Sequence, residues 1–435
     1  MDNSPTSRPR SIGELDPTFA DKGIFTFSEA IYGFELFGIG KATTAQDRKI
    51  LIPAINLTQP LRLAAYLVAR LNEDGTPDQN FGTNGAVSGR FTAEGESFGA
   101  SVAITQEGKI ILSGYHTTKA LTPCRPALAG YLSTGQLDES FGENGIVHLD
   151  FLIPPSVTDT GNDTEQPKGG PPDKQPHAYS FSITPLPNGK LVFCGMLEPT
   201  RGFLASRRSI LGRLNPDGSL DHSFASKGYL DLVGNPNTAD SHVVQPDGKI
   251  LVCGQIEKEH TIIYVRRYLE NGTPDPTFTF SEQPLRPGIL DGGHITAIAL
   301  HEDGRIIIGA NKYYNDSAAP WNGVLMCLTS SGAWDSGFNG GKPVEMALGA
   351  SSFRCTLKDI LIDGDGVILL GDMGNIALTR YFLDGTPDAG FGNKPGWWEY
   401  SGNESYYLVR QDDGKILATA MSIDYQWFVA RFLGE

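Results

Sequence analysis

The sequence predicts an all-β fold, a seven-bladed β-propeller with four antiparallel strands per blade, and three observations carry that prediction. A core of Gly-x-x-Asp-x-x-Phe recurs from one end of the 435 residues to the other. A tight turn followed by an apolar run stands at a matching place in each unit. The two ends of the chain each hold half of one unit. Self-similarity of this kind decides architecture before any local reading does.

The seven cores place Asp and Phe at Asp16/Phe19, Asp78/Phe81, Asp138/Phe141, Asp221/Phe224, Asp275/Phe278, Asp335/Phe338 and Asp388/Phe391. Their glycines are Gly13, Gly75, Gly135, Gly218, Gly272, Gly332 and Gly385. Successive Asp residues are 62, 60, 83, 54, 60 and 53 apart, one unit with a single enlarged copy. The regularity points to fold maintenance. An Asp just ahead of backbone amides accepts from them as an Asx turn or cap, and the Phe is expected to anchor the loop in its blade. The Arg found five residues before most turn glycines (Arg70, Arg213, Arg267, Arg380) is the expected partner of that acid.

The second landmark is the run opening at Lys49, Lys109, Lys190, Lys249, Arg305, Val367 and Lys415, mostly preceded by Asp-Gly or Asn-Gly. Such dipeptides between β-branched runs signal a hairpin, because the turn needs positive φ. Each unit thus reads as strand, tight turn, strand, variable loop, strand, glycine turn and final strand. Four short strands per unit is the signature of a propeller blade. The chain ends at Arg431-Phe-Leu-Gly-Glu435, where the next turn would begin, and opens with the missing half at Gly13. Residues from about 11 to 29 are therefore expected to complete a blade begun by about 397 to 435, which leaves no sheet edge open.

These motifs resemble the delta-60 repeat (DUF5122-type) family, a bacterial β-propeller repeat with an Asp-Gly-Lys hairpin and a Gly-x-Leu-Asp-x-x-Phe-Gly-x-x-Gly core. The resemblance covers nearly the whole chain outside residues 1–10 and about 152–177. It departs at Val367, Cys327 and Gly130, where basic residues are commoner. It implies the propeller fold and transfers no catalytic residue.

Composition bounds the rest. One domain over residues 11–435, preceded by a disordered tail at 1–10, uses the whole apolar content of the chain. A net charge of -15 argues against nucleic acid, which is held by clustered Lys and Arg. Nothing resembles a secretory leader, and no apolar run would span a bilayer. Cys124, Cys194, Cys253, Cys327 and Cys355 lack paired metal spacing and read as reduced, buried residues. Together these features predict a cytoplasmic monomer, with leaderless export left open.

The enlarged third unit carries a Pro-, Gly- and acid-rich insertion at about 152–177, a surface loop or a partner-binding arm. Later blades differ mainly between the second and third strands and in the connections to the next blade. These two loop classes emerge on one face, the repetitive turns on the other, and function on a rigid scaffold usually sits in variable loops. The candidate binding residues are Tyr313, Tyr314, Asn315, Asp316, Trp321, Trp397 and Tyr400, whose aromatic and amide groups suit a sugar or a protein. Asp363-Gly-Asp365-Gly lacks the Glu that a calcium loop needs and reads as a hairpin. No His-Glu-x-x-His and no nucleophile elbow occurs. No cofactor is expected, although calcium or another divalent cation is compatible with the scaffold. The favoured reading is a non-catalytic binding or scaffolding module offering its variable face to a protein or glycan. The alternative is a metal-dependent, lactonase-like or other hydrolase with its site in the central channel.

Overall fold

The computed structural model describes the chain outside residues 1–11, 34, 59–62, 118–124, 150–180, 198–207, 233–236, 258–260, 281, 285–292, 314–320, 347–354, 373–374 and 395. The expected tail and the 152–177 insertion therefore lie outside the described residues. Seven antiparallel sheets follow one another, each contacting the next, and the seventh contacts the first. This is the seven-bladed propeller. Blade 4 shows the pattern: inner strand Asn237–Val244, then Ile250–Glu257 and Thr261–Tyr268, then the outer strand Glu282–Pro284. The second and third strands of each blade are packed on both faces, so they read as nearly unbroken apolar runs. The core is accordingly divided into seven main layers, one between each pair of neighbouring blades.

The ring is closed by both ends of the chain. Ile24–Thr26 pairs with Trp427–Phe432, Phe25 facing Val429, and forms the outer strand of a blade whose inner three strands are C-terminal. A one-turn helix, Glu29–Tyr32, then leads into blade 1. One boundary differs from expectation. The closing blade begins at Glu404, because Trp397–Tyr400 pairs with Ile376–Phe382 and is the outer strand of blade 6. Its place is set by pairing partners distant in sequence.

The repeated turn residues act together. In all seven copies Oδ1 of the core Asp accepts the amide two residues on, as in Asp221 with Ser223 at 3.1 Å and Asp335 with Gly337 at 2.9 Å. Where the strand Arg is present it reaches the other oxygen, as from Arg213 Nε to Asp221 at 2.6 Å and from Arg431 Nε to Asp16 at 3.0 Å. The same guanidinium then crosses to the next blade. Arg213 donates to the Glu270 carbonyl at 2.6 Å and Arg267 to that of Ser330 at 2.5 Å. A backbone bond completes each joint, such as Ala225 to the Asn271 carbonyl at 2.8 Å and Ala20 to that of Asp74 at 2.7 Å.

The phenylalanines correct the sequence reading, which kept each ring within its own blade. Six of the seven cross instead and pack where a side chain at the next turn glycine would stand. Phe19 does so at Gly75 and Phe224 at Gly272. Phe81, Phe141, Phe278 and Phe391 come within 3.0, 3.2, 2.8 and 2.6 Å of that position at Gly135, Gly218, Gly332 and Gly13. Phe338 is the exception. It is buried in the layer between blades 5 and 6, but Asn339 and Val344 lie nearest to Gly385 in its place. Phe278 differs in being only half-buried, packed against the edge of its layer. Phe141 also covers Gly130, where most copies have Arg, so the ring occupies the space that a side chain there would take. The cause of the crossing is the left-handed turn, which leaves a glycine-sized gap facing the preceding blade. The Asp, Arg, Phe and Gly of the repeat thus make a joint between blades.

Candidate functional site

The strand order fixes two faces. The hairpins and Asp–Phe joints lie on one, while the loops between second and third strands and the connections between blades lie on the other. The joint face is committed to holding the ring together. Burial works to raise the pKa of Asp221, yet Ser223, Lys190 and Arg213 hold it well below the usual carboxylate range.

The inner strands surround a central cavity of about 480 Å³ lined by residues from all seven blades. Five of them carry a one-residue β-bulge at a common level, in Glu96–Ile104, Asn237–Val244, His294–Leu300, Thr356–Asp363 and Glu404–Arg410. In blade 1 the ladder breaks at the same level, between Ile39 and Thr43. A bulge releases one residue from the ladder and re-aims its neighbours. The residues at this level, each nine before the residue that opens the apolar run, are Gly40, Ala100, Phe181, Asp240, Thr296, Lys358 and Tyr406. No two are alike. Nearly every other landmark of the blade repeats, and this one does not.

Lys41 of blade 1 meets Asp359 of blade 6, Nζ to Oδ2 at 3.3 Å, although blade 7 lies between them. The Leu408 amide donates to the same oxygen at 3.0 Å and the Ile360 amide to the other at 2.9 Å. His242 of blade 4 contacts two hydroxyls of blade 3, Nδ1 with Ser182 at 2.9 Å and Nε2 with Thr184 at 3.0 Å. Enclosure by protein, with Lys41 adding to it, pushes the imidazole down to about 4, so it is neutral at pH 7. Enclosure likewise pushes Tyr407 up to about 12, with Asp359 adding to the effect. Tyr406 donates to Glu404 and packs on Trp427, ring centroids 5.3 Å apart. Lys358 pairs with Asp372 at 3.1 Å, whose other oxygen takes the Ser405 amide and hydroxyl.

Among the described residues, none of the sequence-derived site residues lines this cavity. Tyr314, Asn315 and Asp316 lie outside the described residues. Tyr313 and Trp321 are paired strand ends whose side chains are not described. Trp397 and Tyr400 sit on the outer strand of blade 6, not in a connection: Lys394 lies over the Trp397 ring, and Tyr400 stacks on the buried Trp398. Packing accounts for both. The repeat residues stay out of the cavity too: its lining includes none of Phe81, Phe141, Phe278, Phe338 and Phe391, nor their aspartates. The Asp363–Asp365 stretch is a tight hairpin as expected. Cys194, Cys253, Cys327 and Cys355 are buried free thiols, and burial pushes that of Cys327 up to about 12. Among the described residues no group of three or more His, Cys, Asp or Glu is placed to hold a metal. The cavity residues escaped the sequence reading, although aligning the copies on their hairpins would have exposed a stretch of inner strand at which they disagree.

Residues 186–224 and 245–278 match the family model described as a domain of unknown function (DUF5122) beta-propeller. Each match runs from a hairpin to the Phe of the following joint. No curated protein is similar enough in sequence to count as a match. Among solved structures the chain is similar to the polysaccharide lyase Uly1, with a TM-score of 0.48, 11% identity, and 95% of this chain and 92% of that one covered. YCF48 bound to D1 peptide gives 0.46 at 11% identity, with 98% of each chain covered. The β-propeller domain of the Trilobed protease from Pyrococcus furiosus gives 0.46 at 7%, covering 92% and 95%. Two of the repeats thus match the DUF5122 beta-propeller model, which is consistent with a propeller of that type, and the chain builds seven blades.

Proposed function

We propose that the protein is a non-catalytic binding module that offers its variable face and central cavity to a protein or glycan ligand. One observation carries this reading: the joint face repeats its chemistry blade after blade, whereas the bulge level of the inner strands holds a different residue in every blade. A scaffold that repeats on one face and varies along its inner strands has its specificity on the varying side. The polar groups there are also engaged in holding one another. Asp359 accepts from a lysine and two backbone amides, and both nitrogens of His242 contact hydroxyls. That arrangement suits a preformed surface better than an acid or base that must exchange protons.

The test is a glycan array and a protein pull-down with the full chain, repeated with Tyr406→Leu at the cavity and Lys249→Ala on the joint face. Capture lost in the first variant and retained in the second is the expected result. Equal capture by both, or no ligand from either screen, would count against the reading. The protein is proposed to work without a bound metal. Elemental analysis of purified protein checks this, and a stoichiometric divalent ion surviving dialysis would favour the channel hydrolase instead. The buried thiols suit a reducing compartment, and cytoplasmic residence is proposed on that ground.

A further inference from the structure

The cavity is divided in chemistry across its axis. Blades 7, 1 and 2 contribute Tyr406, Tyr407, Trp427, Phe37, Ile55 and Tyr115 to its lining. Blades 3 to 6 contribute Ser182, Thr184, His242, Lys358 and Asp359. The two halves follow from blade order alone, since consecutive blades are neighbours on the ring. Five of the six aromatic rings in the lining thus stand on the first side, Phe181 being the sixth, and four of its six Ser and Thr hydroxyls on the second, Thr43 and Ser101 being the others.

Both cations of the cavity are already paired. The charged groups in its lining are Lys41, Lys358, Asp240 and Asp359. Lys41 has the Asp359 carboxylate at 3.3 Å, and Lys358 has Asp372, behind the lining, at 3.1 Å. His242 adds no charge at neutral pH. An anionic ligand would meet no unpaired cation, and a purely apolar one would strip water from Lys41, Asp359 and the hydroxyls without replacing it.

We propose that this cavity binds a small neutral saccharide, a ring with one C–H face and hydroxyls around it. The C–H face packs on the Tyr406–Trp427 side, and ring hydroxyls exchange hydrogen bonds with Ser182 and Thr184. A neutral imidazole donates from one nitrogen and accepts at the other, so one of its two hydroxyl partners keeps its own O–H for the ligand. The volume of about 480 Å³ lies within the range of small-molecule sites. Aromatic rings paired with a few fixed polar groups recognise such amphipathic rings. The inference rests on the binding-module reading and narrows it to one ligand class and one place.

The experiment is titration of the full chain with a panel of neutral mono- and disaccharides, with glucuronate and a sugar phosphate as charged counterparts. Binding is followed by calorimetry and by tryptophan fluorescence, since Trp427 lines the site. Saturable binding of a neutral sugar is expected, weakened about tenfold in Thr184→Val, which loses one hydrogen bond at nearly constant shape. Tyr406→Leu removes the platform and is expected to weaken binding at least as much. Both variants are first checked for an unchanged thermal midpoint, and whichever keeps it carries the result. Tyr425→Ser, on an exposed turn outside the cavity, is expected to bind as wild type. Weakening by Tyr425→Ser alone would move the site to the rim and overturn this inference while leaving the binding module intact. Preference for a charged sugar would overturn the neutral class. No binding across the panel would overturn the saccharide, and the pull-down and array above then decide whether the binding reading itself survives.

Discussion

At the residue scale the joint between blades is the feature most exposed to test. The Arg213 side chain is 5% exposed and its partner Asp221 6%. Lys190 still pairs with Asp221 at 2.9 Å when the arginine is removed, so the acid is not left bare. Arg213→Met is expected to destabilise by about 1–3 kcal/mol in urea unfolding, because it loses a charge-assisted bond to Asp221 and releases the Glu270 carbonyl of the next blade. Gly272 lies across the same joint at φ 83, with the Phe224 ring 3.0 Å from where a Cβ would stand. Gly272→Ala is expected to cost about 1–2 kcal/mol from backbone handedness alone, and more from the clash. A change within a few tenths of wild type for either substitution would refute the joint. The histidines give a pH signature. His242 is lowered to about 4 from an ordinary 6.5 by enclosure and Lys41, and His294 is lowered by burial and Lys358. The unfolded chain therefore binds more protons than the folded one over that interval, and stability falls as pH drops from about 6.5 toward 4. The repeat aspartates are depressed below 3.8 instead, so their contribution is lost only in stronger acid. Thermal midpoints measured from pH 7 to 4 should slope downward, and His242→Gln should flatten part of that slope. An unchanged slope in the variant would mean that His242 is not enclosed as described.

At the element scale the inner strand is where pattern and structure part. The turns were legible because each residue answers a local demand: Gly for positive φ, Asp for two amides, Phe for an apolar anchor. Those demands recur, so the repeat displays them, although only the packed ring shows that the anchor of Phe81 or Phe391 is the neighbouring blade. The bulges answer a demand of the ring instead, since a strand at the channel edge has no partner on one side and its release is felt only after closure. Asp240, Lys358 and Tyr406 look like scattered strand residues until the blades are superposed. Trp397–Tyr400 shows the same limit: a short aromatic stretch after a glycine turn reads equally as connection or strand, and pairing with Ile376–Phe382 decides. Inner strands are tied to their neighbours by buried polar groups, as in Asn311, whose amide donates to the Leu357 carbonyl at 2.9 Å and accepts the Leu357 amide at 2.7 Å. Asn311→Leu would leave both backbone groups unpaired, at about 1–3 kcal/mol each. A matching fall in stability, with faster hydrogen exchange at Leu357, is the expected outcome. Exchange at Leu357 as slow as in wild type would show that the tie is dispensable.

At the scale of the whole molecule, the closing blade decides whether the ring holds as a unit. Three of its strands are C-terminal and one is N-terminal, so blades 7 and 1 are joined across the full length of the chain. Phe19, Phe25 and Phe27 are each at most 5% exposed, and burying a Phe contributes about 1.5–3 kcal/mol. Phe19 also fills the joint with Gly75, while Arg431 holds Asp16 on one side and the Glu73 carbonyl of blade 1 on the other. Deleting residues 1–27 removes those rings, breaks two of the seven joints (Phe19 with Gly75 and Phe391 with Gly13) and bares the Trp427–Phe432 strand. A bare strand edge is a template for pairing with a second chain. The deletion is therefore expected to lower the thermal midpoint markedly and to yield dimers or larger species by light scattering. Because the cavity wall includes Trp427 and Tyr406 of that same blade, its ligand binding should weaken together with stability. A monodisperse truncated monomer with the wild-type midpoint would show that the ring does not depend on this strand, and the coupling between closure and the cavity would fail with it.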